Sequence, residues 1–327
     1  MIKRREAITL LGGAAMAWPL KAKAQQTATP IIGYLSGLSE AQARPQLTAF
    51  RLGLNETGLV EGRNVAMEFR WADGRYDRLP GMAADLVHRR VTVIVAQTPP
   101  AALAAKDATA TIPIVFVVGF DPVGAGLIAN LARPAGNITG LSLQTTGLAP
   151  KRIEILRELI PKSLVIAMLV NPISPNAAPE VRDASAAAQA MGLQLKLFNA
   201  TTVAELDASY AGIAQQRPDA LLISSDPFFV VHSAVLVALA ARLGIPAVYP
   251  QREYVAAGGL LSYGTNVAST YRQAGIYAGR IINGAKPGDL PSMQPTTFEL
   301  VVNLKTAKIH GFDIPTAILA RADEVIE

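Results

Sequence analysis

The sequence predicts an α/β protein built as two doubly wound, Rossmann-like lobes joined by a multi-segment hinge. Three observations predict it. Short apolar runs alternate with amphipathic segments through residues 31–143, and the same alternation restarts near residue 150. That grammar implies parallel sheets with crossover helices. Two of the runs, Ile114–Val118 and Ala220–Ile223, are each followed by an Asp-Pro corner, Asp121-Pro122 and Asp226-Pro227. Two similar halves facing one crevice would produce that pair. The tail then supplies two further strands and two further helices, too few for a third lobe.

In chain order, Ile31–Leu35 reads as the first strand. Gln46–Thr57 reads as a helix, with Leu47, Phe50 and Leu54 at helical spacing and Gly58 as its stop. Val65–Phe69, Val91–Ala96, Ile114–Val118 and Ile138–Leu143 are strands, separated by helices over Arg78–Arg89, Pro99–Ala108 and Gly124–Leu131. The second round runs through strands Val165–Val170, Gln194–Phe198, Ala220–Ile223 and Ala247–Tyr249. Helices Pro150–Leu159, Ala178–Met191, Val203–Gln216 and Ser233–Leu243 lie between them. Leu260–Ser262, Ser269–Asn283, Phe298–Val302 and Thr316–Arg321 complete the tail. Returning one strand–helix set to each lobe assigns 25–143 plus 260–290 to lobe 1 and 144–259 plus 291–327 to lobe 2. The chain then crosses near 143–149, 250–259 and 286–295, and several crossings make a hinge that closes in a defined direction.

The amino terminus reads as a signal peptide over residues 1–24. Lys3, Arg4 and Arg5 give a basic start, Ile8–Leu20 is apolar but too short for a membrane anchor, and Ala22-Lys23-Ala24 supplies a small-x-small cleavage site. Arg4-Arg5 matches a twin-arginine signal, but Ala7 stands where that signal prefers a bulky apolar residue, so the export route stays open. The chain has 327 residues, 30 basic and 25 acidic, for a net charge of +5. Five of the basic residues and one acidic residue leave with the signal. The mature chain keeps 25 basic and 24 acidic, net +1, which removes the electrostatic case for nucleic acid. The absence of cysteine excludes disulfides, thiolate metal sites and a cysteine-linked lipid anchor.

Parallel sheets place ligands beyond the carboxyl ends of their strands. Those ends nominate Ser36, Gln97, Thr98, Asp121, Ser142, Asn171 and Asp226, and the crossing segment nominates Tyr263. Asp226 is expected to accept a hydrogen bond from a ligand ammonium or ring N–H. Donors near Ser36 and Thr98 would hold a carboxylate or carbonyl. Phe228, Phe229 or Tyr263 would stack on a planar body. Each of these residues has a plainer reading as a turn former, a helix cap or core. Gly124-Ala125-Gly126-Leu127-Ile128-Ala129 matches the G-x-G-x-x-A dinucleotide pattern. Yet Asp121-Pro122 intervenes after the strand and no acidic residue ends the next strand, so tight packing explains the small residues better. His88, His232 and His310 are isolated, and no metalloprotease, hydrolase-elbow or P-loop spacing appears. No catalytic residue, metal or cofactor is expected.

Several blocks occur together in a familiar order. They are K-R-R-E-x-I-T-L-L-G-G at the start, W-A-D-G-R-Y-D-R-L-P (Trp71–Pro80), T-I-P-I-V-F-V-V-G-F-D-P (Thr111–Pro122) and R-P-x-G-N-I-T-G (Arg133–Gly140). A-M-L-V-N-P (Ala167–Pro172), Y-P-x-R-E-Y-V-A-A-G-G-L-x-S-Y-G (Tyr249–Gly264) and L-A-R-A-D-E-V-I-E (Leu319–Glu327) follow. The chain resembles the ABC-transporter substrate-binding proteins of the tryptophan/tyrosine-uptake-related family. The resemblance implies a periplasmic type I binding-protein fold, a small amino-acid-like or aromatic ligand in the cleft, and docking on an inner-membrane permease. It favours Asp226 and Tyr263 as site residues, and a diffusing monomer is the matching expectation. An exported enzyme of the same architecture, or a sensor for a membrane receptor, are the alternatives.

Overall fold

The computed structural model describes residues 29–295 and 297–327, so the signal-peptide reading over 1–24 lies outside the described residues. The first sheet is β1 (Ile31–Ser36), β2 (Ala66–Trp71), β3 (Val93–Gln97), β4 (Ile114–Val118) and β5 (Ile138–Ser142). Its order is β2-β1-β3-β4-β5, every pair parallel. The second is β6 (Val165–Val170), β7 (Gln194–Asn199), β8 (Ala220–Ile223), β9 (Ala247–Tyr249), β10 (Leu261–Thr265), β11 (Phe298–Asn303) and β12 (Glu324–Ile326). Its order is β7-β6-β8-β9-β10-β11-β12, antiparallel only between β10 and β11.

Helices cover both faces of each sheet. Helices α1 (Glu40–Asn55), α2 (Leu79–His88) and α3 (Pro99–Ala108) follow strands of the first sheet. Helices α4 (Ala149–Leu159), α5 (Ala177–Ala190), α6 (Val203–Gln216), α7 (Pro227–Val231), α8 (Ser233–Leu243) and α9 (Arg252–Ala256) belong to the second. Helix α10 (Val267–Ile282) returns to the first lobe, and α11 (Leu304–His310) and α12 (Thr316–Leu319) to the second. Unbroken apolar strands follow from this double cover. In β6, Ile166, Met168 and Val170 enter one core, while Ala167 and Leu169 enter the core on the opposite face.

The structure corrects the predicted division at the strand near residue 260 and at 291–293, the latter pairing with the first lobe. The strand near residue 260 was expected in lobe 1, but β10 is zipped between β9 and β11 in the second sheet. The crossing therefore falls at Asn266, between β10 and α10, and 250–259 stays in the second lobe, where it forms α9. The other crossings lie between Ser142 and Ala149 and between Met293, bridged to Leu141, and Phe298. The helix expected over Gly124–Leu131 is a series of turns. There the Asp121 carboxylate accepts from Val123 N, and Pro122 O accepts from both Leu127 N and Ile128 N. These bonds compete with the helical ladder at a glycine-rich, weak helix former.

Helix α1 begins earlier than predicted because Ser39 caps it, Oγ accepting from Gln42 N, and the chain runs helically through Pro45. It lies against α10 at backbone contact. A Cβ at Gly53 would sit 1.8 Å from Arg272 O, and one at Gly275 would sit 2.0 Å from Phe50 O. Gly275→Leu is therefore expected to destabilise the protein by about 1–3 kcal/mol. Gly81→Ala, exposed in the first turn of α2 with nothing near its Cβ, is expected to stabilise it by about 0.4–1 kcal/mol. Urea unfolding measures both, and a neutral Gly275→Leu would refute the backbone contact.

Candidate functional site

The strand ends of both sheets meet across a cleft. In the first sheet Ser36 is level with Trp71 and Gln97, and Val118 with Ser142. In the second, Asn171 follows β6 and Ser224–Asp226 follow β8. Between them lies a narrow chamber of about 50 Å³. Gln46, Thr98, Gly119 and Tyr271 line it from the first lobe, Asn176, Ser225, Asp226 and Gln251 from the second, and Thr145 from a crossing.

The lobes touch directly. Tyr76, in the loop after β2, donates from its hydroxyl to Asp226 Oδ2 at 2.5 Å. Gln42 Nε2 donates to Val231 O at 3.1 Å. Leu38 and Ala43 share a core cluster with Phe228, Phe229 and Val230. Asp226 is buried, and its other oxygen accepts from Asn171 Nδ2 at 3.0 Å and Phe228 N at 2.9 Å. Burial pushes its carboxyl up, and the bonds from Tyr76 and Asn171 pull it back. Both oxygens thus already hold protein donors. Asp226 caps α7 and latches it to the opposite lobe.

The nominated residues divide accordingly. Thr98 and Asp226 line the chamber. Asn171 stands behind Asp226 and orients it. Ser36 is fully buried and its Oγ accepts from Leu38 N, a turn role. Ser142 Oγ donates to Phe120 O and accepts from Gln144 N, so it also braces a turn. Asp121 is exposed and caps the turn described above. Phe228 packs edge-on to His232 and against Gly74 of the facing loop, and it does not present a free ring face to the chamber. Tyr263 lies beside Phe298, packed on one core of the second sheet, while its carbonyl accepts from Arg152. The structure therefore keeps Ser36, Asp121, Ser142, Asn171, Phe228 and Tyr263 out of the chamber wall.

Other polar groups take their place. Gln97 is fully buried, and neither its amide nitrogen nor its oxygen meets a partner at hydrogen-bond geometry among the described residues. It lies beside Tyr271, whose hydroxyl burial pushes up and the Gln97 amide tempers. Asn176 gives its nitrogen to Ser225 O, and its oxygen has no partner among the described residues. Thr98 has φ 97°, an outlier for a β-branched residue. It is held there by Gly37 N to its Oγ1, its own N–H to Val117 O, and Ala102 N to its carbonyl. Strain of this kind is kept where the surroundings over-determine it, commonly at ligand clamps. Gln46 and Tyr271 escaped sequence reasoning because they sit mid-helix, where no strand-end signal marks them.

Behind the chamber wall, Arg152 and Glu180 form a fully buried ion pair at 3.1 Å. Arg152 also donates to Thr145 O on a crossing and to Tyr263 O on β10, and Glu180 accepts from Ser225 N at 2.8 Å. Burial pushes the Glu180 carboxyl up to about 7, against the pull of Arg152.

Comparison with known proteins fits this geometry. The family model for ABC transporter substrate binding protein matches residues 39–326. The chain belongs to that family. It is 25% identical over 276 residues to a tyrosine-binding protein of Clostridioides difficile (strain R20291), covering 83% of this chain and 79% of the relative. A conserved domain protein from Vibrio cholerae superposes with a TM-score of 0.85 at 27% identity, covering 91% of this chain and 99% of the other. The ABC domain in complex with L-Trp from Streptococcus pneumonia superposes with a TM-score of 0.81 at 25% identity, covering 90% of this chain and all of the other. The expected type I periplasmic binding-protein fold is the one observed.

Two predictions follow from the contacts of this substrate-binding protein. Tyr76→Phe removes a hydrogen bond to a carboxylate, about 1.5–3 kcal/mol, and shifts the ligand-free lobes toward an open arrangement. Small-angle scattering should show a larger radius of gyration, and an unchanged value would exclude the latch. Glu180, with its folded pKa raised from 4.5 to about 7, contributes stability that is complete below 4.5 and lost as pH rises through 7. The wild-type melting temperature should therefore carry a falling component across that window that Glu180→Gln lacks, and parallel pH profiles for the two proteins would refute it.

Proposed function

We propose that this protein is the exported solute-binding component of an ABC importer. It captures a small amino-acid-like or aromatic metabolite between its lobes in the periplasm and delivers it, as a monomer, to an inner-membrane permease. The observation that carries this reading is the chamber wall. Leaving a buried polar atom without a partner costs about 1–3 kcal/mol, and on the chamber wall Asn176 Oδ1 is one such atom, beside the polar groups of Thr98, Ser225 and Gln251. A ligand bearing donors and acceptors would satisfy them. The tyrosine-binding relative and the L-Trp complex support the aromatic amino-acid class.

Thr98, Asn176 and Asp226 are proposed to form the polar rim, with Asp226 acting chiefly through closure. Contacts from both lobes stabilise the closed form, so ligand binding and hinge closure are linked. Export rests on the signal-like segment at residues 1–24, and no described helix is long and apolar enough to cross a membrane. The test is thermal unfolding of residues 25–327, stripped of bound small molecules, against amino acids, nucleobases and small acids. A ligand at a hundred times its dissociation constant adds about 2.7 kcal/mol, a shift of several degrees. The ligand should be recovered chemically unchanged. Recovery of a converted compound would replace this reading with an enzyme.

A further inference from the structure

We propose that Glu253 is the counter-charge by which this protein selects a ligand carrying a protonated amino group. The inference rests on the solute-binding reading above and deepens it. Beside the chamber, and joined to it at Gln46 and Val267, lies a second and wider pocket between α1 and α9. Its charged lining is Arg252, Glu253, Glu299 and Glu324. Arg252 is already engaged, donating to both carboxylate oxygens of Glu324 at 2.6 Å. Glu299 accepts from Asn266 Nδ2. The pocket therefore keeps an excess of negative charge.

Glu253 is the carboxylate in it that lacks a donor. Its Oε2 is buried and has no partner among the described residues. Its Oε1 faces only Gln46 Nε2, at 3.5 Å, the limit of a hydrogen bond. Gln46, itself 4% exposed, is better satisfied with its amide turned over, when its nitrogen donates to Gln42 O at 2.8 Å and Ala43 O at 3.2 Å. That orientation points the Gln46 carbonyl at Glu253 and leaves the carboxylate with no side-chain donor among the described residues. Two acceptors facing each other in a sheltered pocket are stabilised by a multi-donor cation placed between them. An ammonium group meets that description. A metal ion does not, because no cluster of three or more His, Asp or Glu side chains with metal-binding geometry occurs among the described residues.

The neighbouring groups continue the pattern. Glu253 acts electrostatically on the Tyr271 hydroxyl in the chamber, and Tyr271 lies beside the unpartnered Gln97 amide. Asp226, the other buried carboxylate at the cleft, is filled by Tyr76, Asn171 and Phe228 and leaves the ammonium role open.

Isothermal titration of the mature protein with L-tyrosine and L-tryptophan, and with 3-(4-hydroxyphenyl)propionate and indole-3-propionate, tests the assignment. The latter pair differ from the amino acids only by the missing amino group. Wild type should prefer the amine-bearing partner by roughly thirtyfold or more, as a charge-assisted contact supports. Glu253→Gln should fold normally, hold the propionates as wild type does, and lose most of that preference. Asp226→Asn should retain the preference at lowered affinity for all four compounds. A Glu253→Gln protein that still prefers the amino acids thirtyfold would overturn the assignment while leaving the solute-binding reading intact. Failure of wild type to bind any of the four would overturn the aromatic amino-acid reading and the assignment with it.

Discussion

The buried pair Arg152–Glu180 ties together the parts that must move and the parts that must not. Arg152 stands on α4, just past a crossing, and its guanidinium reaches the crossing at Thr145, the sheet at Tyr263 and the acid of α5. Glu180 in turn holds the backbone of Ser225, one residue before the corner of Asp226. An ion pair removed from water stabilises little relative to well-packed apolar groups, but losing one partner is severe. Its use here is geometric. It references the crossing at Thr145, the second sheet and the chamber wall at Ser225 to one buried point.

The cleft uses its two Asp-Pro corners differently, although both follow an apolar strand of a parallel sheet. Asp226 is followed by a helix whose first turn it caps, and it faces Tyr76 across the gap. Asp121 is followed by glycines, stays exposed and ties down only its own turn. The pseudo-symmetry of the sequence therefore holds for the sheets and breaks at the corners. The cleft is asymmetric: the second lobe presents the latch and the first lobe presents the strained Thr98.

That asymmetry also explains what was legible beforehand. Strands such as Ile114–Val118 and Ala220–Ile223 were readable because burial on both faces demands unbroken apolar runs, and the repeat of strand and helix gave two lobes. Strand ends nominated Thr98 and Asp226, which line the chamber, and Gln97, which is buried outside its wall. Which rim residues turn inward was not readable. Ser36 and Ser142 satisfy backbone turns, and only the paired geometry of neighbouring strands shows it. Tyr263 was misplaced because alternation along β10 depends on which sheet the strand joins, and that is decided by β11, nearly forty residues downstream. Gln46, Tyr271 and Glu253 sit on helices that pack from other parts of the chain, so no local pattern marks them.

The contact between α1 and α10 links residues more than two hundred positions apart in the chain. The first lobe is thus unfinished until nearly the whole second lobe has been made, since α1 and the inner face of its sheet stay uncovered until α10 arrives. Contacts of such sequence separation close slowly and keep apolar surface open to wrong partners meanwhile. That delay leaves a long window in which α1 is open to aggregation.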